Sequence, residues 1–240
     1  MTAAQRLRPE LWVLRIGVVV TVALIALHAG IRRVPWAPQW GEPESTAKQY
    51  FDVSREQNLP TWVNVVVLVL AAVASTLAAA LARVAGSRAA LPWAGFAVVV
   101  AGLSLDDMTS LHERLDGFGR RIGGGSGLTY AAWLVPGLAF AAVVVIAVVL
   151  LVRRVDRTTR RLLLSGLFLL LVGAFALESL GNAVLEQRGF SREYALLVLA
   201  EETLETLGAW LLLAAPLAAL RVTRTDGGLL VAYPAAQSVR

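Results

Sequence analysis

Six mainly apolar stretches, roughly 11–31, 61–82, 91–112, 129–152, 162–184 and 194–220, divide this chain of 240 residues. A helix needs about 20 such residues to cross the hydrocarbon core of a bilayer. In lipid the backbone must close its hydrogen bonds within each segment. The pattern therefore predicts an all-α integral membrane protein, a bundle of about six transmembrane helices with one longer outer loop and the lipid bilayer as its solvent.

Composition narrows the function. The chain is 57% hydrophobic and 16% charged, where a soluble domain carries about 25% charged residues. Cysteine is absent, which excludes disulfides, thiolate metal sites and cysteine nucleophiles. Histidine occurs only as His28 and His112, which excludes histidine-rich metal clusters. The basic pI of 10.4 does not indicate nucleic acid, because the arginines flank the apolar stretches. The excess of Ala, Val, Leu, Gly and Arg, with Lys48 the one lysine, points to a GC-rich bacterial genome.

Lys/Arg bias sets orientation. With the N-terminus inside, inner segments hold twelve basic residues and outer segments nine, and the dense run from Arg153 to Arg161 is inner. The expectation is a bacterial plasma-membrane protein with both termini cytoplasmic. Residues 26–30 have no small-x-small cleavage site, so the first stretch is expected to remain as a helix. Trp12, Trp36, Trp40, Trp62, Trp93 and Trp133 lie near span ends, as interfacial aromatics do.

The outer loop runs over about 32–60. Glu44 to Asn58, polar with Tyr50, Phe51 and Val53 interspersed, is expected to form a short amphipathic surface helix closed by Pro60. The run Gly123-Gly124-Gly125-Ser126-Gly127 after Arg120-Arg121 lacks the Lys-Ser/Thr of a phosphate loop and is expected to be a flexible linker. The chain reads as one domain, 1–224, followed by a disordered cytoplasmic tail, 225–240.

Ionisable groups at a helix centre are costly, about 2.5–3.5 kcal/mol each on insertion scales. Here they gather: His28, Asp106, Asp107, His112, Glu113, Glu178, Glu201, Glu202 and Glu205 lie in or beside the spans. At 1.5 Å per residue, His28, Asp106, Glu178 and Glu205 fall within a few ångströms of one depth in the outer leaflet. Continuing the third helix would put Asp106, Ser110 and Glu113 on one face, with Asp107 turned about 100° toward a neighbour. Glu201 and Glu205, like Glu178 and Asn182, are four residues apart.

The run from Phe51 through Arg55-Glu56-Gln57-Asn58-Leu59-Pro60-Thr61-Trp62, with Leu105-Asp106-Asp107, His112-Glu113 and Leu204-Glu205, resembles uncharacterised bacterial multi-pass membrane proteins. The resemblance spans most of the chain and brings no known activity. It implies that Arg55, Glu56 and Asn58 belong to the outer site.

Carboxylates crowded at low dielectric need a cation, arginine partners or protons. Oxygen ligands with imidazole suit Fe, Mn, Zn or Ca. The leading expectation is an outward-facing divalent-metal site with Asp106, Asp107, His112, Glu113, Glu178, Glu202 and Glu205 as ligands. His28, Arg55, Glu56, Asn58, Ser110, Asn182 and Glu201 would support it. The rival readings are a proton- or cation-coupled transporter or channel, with an ion or small molecule as cargo, and a structural subunit whose acids pair with arginines.

Overall fold

The computed structural model describes residues 5–33 and 46–234, with side chains from Gln5 to Gly30 and from Gln49 to Pro234. In chain order, β1 (Gln5–Leu7) leads into α1 (Pro9–Arg33), and the short α2 (Thr46–Phe51) precedes α3 (Leu59–Val84) and α4 (Ala90–Thr109). A 3-10 turn at Glu113–Leu115, α5 (Asp116–Arg121) and a second 3-10 turn at Gly127–Thr129 lead to α6 (Leu134–Val152). Next come α7 (Arg157–Leu171), a π-helical segment at Val172–Leu177, α8 (Glu178–Arg188) and α9 (Arg192–Ala219). The strands β2 (Arg221–Thr225) and β3 (Gly228–Ala232) close the described chain.

Among the described residues five helical stretches are long and apolar enough to cross a membrane: Pro9–Gly30, Leu59–Val84, Ala90–Thr109, Leu134–Val152 and Arg157–Arg188. The sixth, α9, has 28 residues, and its acids lower its hydropathy. It packs against α1, α3 and α7, and Glu201, Glu202 and Glu205 are part-buried there, while Glu193 in its first turn is exposed. The outer faces carry Val19, Val73, Leu91, Val98, Leu138, Ile146 and Phe168, all exposed; Val98 is 73% exposed. Apolar surface on this scale needs a solvent other than water.

Small residues set how closely the helices approach. On α3, Ala71, Ala74, Ala78 and Ala82 form a buried stripe in the core shared with Trp93, Phe96 and Val100 of α4. Such stripes let helix backbones close on one another in the absence of a hydrophobic drive. Between α7 and α9, a Cβ at Gly166 would lie 3.0 Å from Gly208 O, and one at Gly208 would lie 3.0 Å from Gly166 O.

Helix ends follow local chemistry. The Asp156 side chain caps α7 through the Thr158 and Thr159 N–H groups, and Asn58 caps α3 through Thr61 N–H. Ser110, at φ 50° and ψ 44°, ends α4 in the left-handed region. The predicted continuation of this helix to 112, with Ser110 and Glu113 on the Asp106 face, therefore fails. Likewise residues 129–133 form turns ahead of α6.

Three further expectations change. The amphipathic helix of the outer loop ends early, at Phe51 in α2, because the Asp52 carboxylate accepts from Ser54 N–H and Oγ and turns the chain. Trp36 and Trp40 lie outside the described residues. The glycine run is a built turn: Gly123 and Gly125 take φ of +103° and +111°, and Gly127 N–H donates to Glu186 Oε2 at 2.6 Å. The tail expected to be disordered from 225 instead forms a hairpin, Thr225 opposite Gly228, and β1 joins it to make a three-stranded antiparallel sheet. Tyr233 beyond it accepts a hydrogen bond from Trp93 Nε1 at 3.1 Å. Residues 235–240 lie outside the described part.

Candidate metal centre

At the end of the bundle away from this sheet, the helices part around a cavity of about 490 Å3. Its wall takes Arg55 and Glu56 from the outer loop, Asp106, Asp107, His112 and Glu113 from α4 and the turn after it, Glu178 and Asn182 from α8, and Glu201, Glu202 and Glu205 from α9. Along α9 it extends from Tyr194 to Ala209, about 22 Å at 1.5 Å per residue.

His112 is the organising residue. Because Ser110 reverses the backbone, the chain folds back on Asp106: His112 N–H donates to Asp106 Oδ1 at 2.8 Å, and Nδ1 lies 3.0 Å from Oδ2. A carboxylate on Nδ1 fixes the tautomer that leaves Nε2 free to bind. The ring packs on Trp133, centroids 4.5 Å apart. Nε2 lies 3.9 Å from Glu56 Oε1, and ligand atoms of Glu56, His112 and Glu113 all fall within 4.8 Å of one another. Burial acts against a charged His112, but the Asp106 hydrogen bond and the charges of Asp106 and Glu56 outweigh it and raise its pKa. Burial, with the Glu113 charge next in size, pushes the Glu56 carboxyl up to about 7.

The other acids are placed individually. Asp107 does point toward a neighbouring helix, where Asn64 Nδ2 donates to it at 3.2 Å. Trp133 Nε1 donates to Glu178 Oε1 at 2.9 Å, and Asn182 Nδ2 donates to Glu178 O. Glu205 lies against Gly173, inside the π-helical segment. π-Bulges of this kind are frequent at functional sites, and this one leads directly into Glu178. Arginine pairs form at Asp52 (Arg55, 4.0 Å) and Asp116 (Arg120, 2.7 Å). Among the described residues no Lys or Arg nitrogen lies within 4.0 Å of Glu178, Glu201, Glu202 or Glu205.

Three expected members stand outside the cavity wall. His28 instead holds the outer loop, with Nδ1 3.2 Å from Asp52 Oδ1 and 3.3 Å from the Val53 N–H. Asn58 works in the same loop, donating to Asp52 O at 2.6 Å. Ser110 is buried at the left-handed turn. Asn64, Trp133 and Tyr194 line the cavity and were not among the expected site residues. Asn64 could have been flagged as the one amide in the apolar run of α3; Trp133 carried only an interfacial signal.

Fold and cavity together define a multi-helix membrane protein with an acid- and imidazole-lined cavity at one end. Residues 13–220 match the family described as Domain of unknown function (DUF8692), and the chain belongs to that family. No curated protein and no solved structure matches the chain.

Proposed function

We propose that the protein binds a divalent metal ion at the mouth of this cavity, with Glu56, His112 and Glu113 as ligands and Asp106 orienting the imidazole. The observation that carries the reading is the convergence of those three side chains within 4.8 Å, backed by the Asp106–His112 contact at 3.0 Å. One imidazole and two carboxylates suit Fe, Mn, Zn or Ca. An ion held there would polarise a water or ligand bound in the adjoining cavity.

The rival readings have less support. A structural subunit with arginine-paired acids does not fit Glu178, Glu201, Glu202 and Glu205, which have no such partner among the described residues. A transport path needs polar groups across the bundle, yet beyond the cavity the core is Trp93, Phe96, Val148, Leu151, Leu163 and Leu212.

The cavity is assigned to the outer face of a bacterial plasma membrane. The arginines at 153–161, with Arg6, Arg83, Arg88, Arg221 and Arg224, lie at the opposite ends of the helices, and basic residues favour the cytoplasm.

The test is elemental analysis of detergent-purified protein. Near-stoichiometric metal in the wild type, lost in Glu56→Gln and in His112→Ala, is expected. Equal, trace metal in all three would overturn the assignment.

A further inference from the structure

The deep end of the cavity is chemically unlike its mouth. It is bounded by Leu24, Leu68, Leu103 and Leu170, with Glu202 and Glu205 the acids of α9. Two neutral oxygens there have no hydrogen-bond partner: Thr21 Oγ1 and Asn64 Oδ1. A helical threonine ordinarily closes onto the carbonyl four residues back, as Thr76 does to Ala72 O, Thr109 to Leu105 O and Thr203 to Leu199 O. Thr21 does not. It is 4% exposed, and it lines the cavity. Buried polar groups without partners are rare and call for an explanation.

Helix register puts Thr21 at the level of the acids. α1 and α9 run antiparallel, and Gly17 lies directly against the Trp210 ring. One turn from Gly17 is Thr21; one turn from Trp210, in the same direction, is Thr206, next to Glu205. Asn64 is tied to the group through Asp107 at 3.2 Å, and Asp107 lies within electrostatic range of Glu202 and Glu205.

We infer that the deep end receives the ammonium of a small primary alkylamine, with Glu202 and Glu205 as counter-charges and Thr21 Oγ1 and Asn64 Oδ1 as neutral acceptors. Spacing argues against a second metal. Metal–oxygen bonds of about 2.0–2.6 Å draw ligand atoms within roughly 5 Å of each other. Among the described residues the trio of acids and imidazole meeting that spacing is the one at the mouth. N–H···O bonds to an ammonium, about 2.8 Å each, tolerate a wider ring. The free oxygens need N–H donors, which a quaternary ammonium lacks. The leucines at this end offer apolar surface to an alkyl chain, which a bare ion would not use.

The inference is independent of the metal site, so the test uses metal-stripped, detergent-purified full-length protein. n-Butylamine is titrated by calorimetry at neutral pH, beside n-butanol, tetramethylammonium and potassium chloride. Saturable binding of butylamine alone is expected, weakened about tenfold or more by Glu205→Gln and about fivefold by Thr21→Val. Thr76→Val, at an exposed threonine outside the cavity, should leave it within about twofold. No saturable butylamine binding, equal affinity in Glu205→Gln and Thr21→Val, or equally tight binding of potassium or tetramethylammonium would overturn the inference.

Discussion

Glu205 occupies the space that a side chain at Gly173 would need: a Cβ built on Gly173 would lie 2.6 Å from Glu205 Cγ and 3.1 Å from Glu201 O. The close approach joins the π-helical segment to the acidic stretch of α9. It also fixes where Glu205 stands in the cavity wall.

Gly173→Ala should therefore push α9 away or displace Glu205. Overpacking of this kind costs about 1–3 kcal/mol, read as a lower melting temperature in detergent. Gly102→Ala is the control. It has nothing within 4 Å of its added Cβ and lies within α4, where alanine is the better helix former. It should leave the melting temperature unchanged or higher. If the two variants melt alike, the packing account of Gly173 is wrong.

Trp93 and Tyr233 couple the sheet to the bundle. Trp93 is fully buried, and Tyr233 Oη is the acceptor for its indole N–H. Tyr233→Phe leaves a buried donor unpaired, which costs about 1–3 kcal/mol. With Trp93→Phe already present, the same change should cost markedly less. A double-mutant cycle on thermal stability checks this; additive effects would mean the hydrogen bond contributes nothing.

Asp52 governs the outer loop. Burial works to raise its pKa, but hydrogen bonds from His28 and Ser54 overcome it and hold the carboxyl at about 2. A carboxyl held below its unfolded value of 3.8 stabilises the fold above that pH. The gain disappears as pH falls toward 2, and amounts to about 2 kcal/mol. Asp52→Asn should melt lower than wild type at pH 6, and the gap should shrink to about a third of that size by pH 2.5. A gap that stays constant over that interval would remove Asp52 as its source.

The helices were legible because length and apolarity alone decide membrane spans, and α1, α3, α6 and α9 end within a few residues of expectation. Clustering of the acids was legible too, since Asp106, Glu178 and Glu205 shared a depth that needs only the rise per residue. What escaped prediction was set by single backbone events. The left-handed Ser110 turned His112 back onto Asp106, a step that helical periodicity cannot contain. Glu56, read as a supporting residue, came to the mouth because Asp52 and Asn58 shape its loop through side-chain bonds to the backbone. The hairpin had a local signal in its Asp226-Gly227 loop, whereas the third strand, β1, lies more than 200 residues away in sequence and had none.

Metal affinity should depend on pH through Glu56. Burial, then the charge of Glu113, lift its carboxyl to about 7, and a carboxylate must lose its proton to bind a cation. Below pH 7 the proton competes with the metal. Affinity should therefore rise by up to about tenfold per pH unit from pH 5 toward 7, then level off as Glu56 ionises. His112, whose pKa is also raised, adds a second proton to be displaced and steepens the rise while it is protonated. Glu56→Gln removes the first contribution: its affinity should be lower at pH 7.5 than that of the wild type, and its pH dependence shallower. Calorimetric titration with Mn2+ or Zn2+ in buffers of different ionisation enthalpy reads both affinity and protons released. Wild-type protein should release protons near pH 6, and Glu56→Gln fewer. Identical proton release by the two would show that Glu56 does not ligate the ion and would leave His112 and Glu113 to hold it.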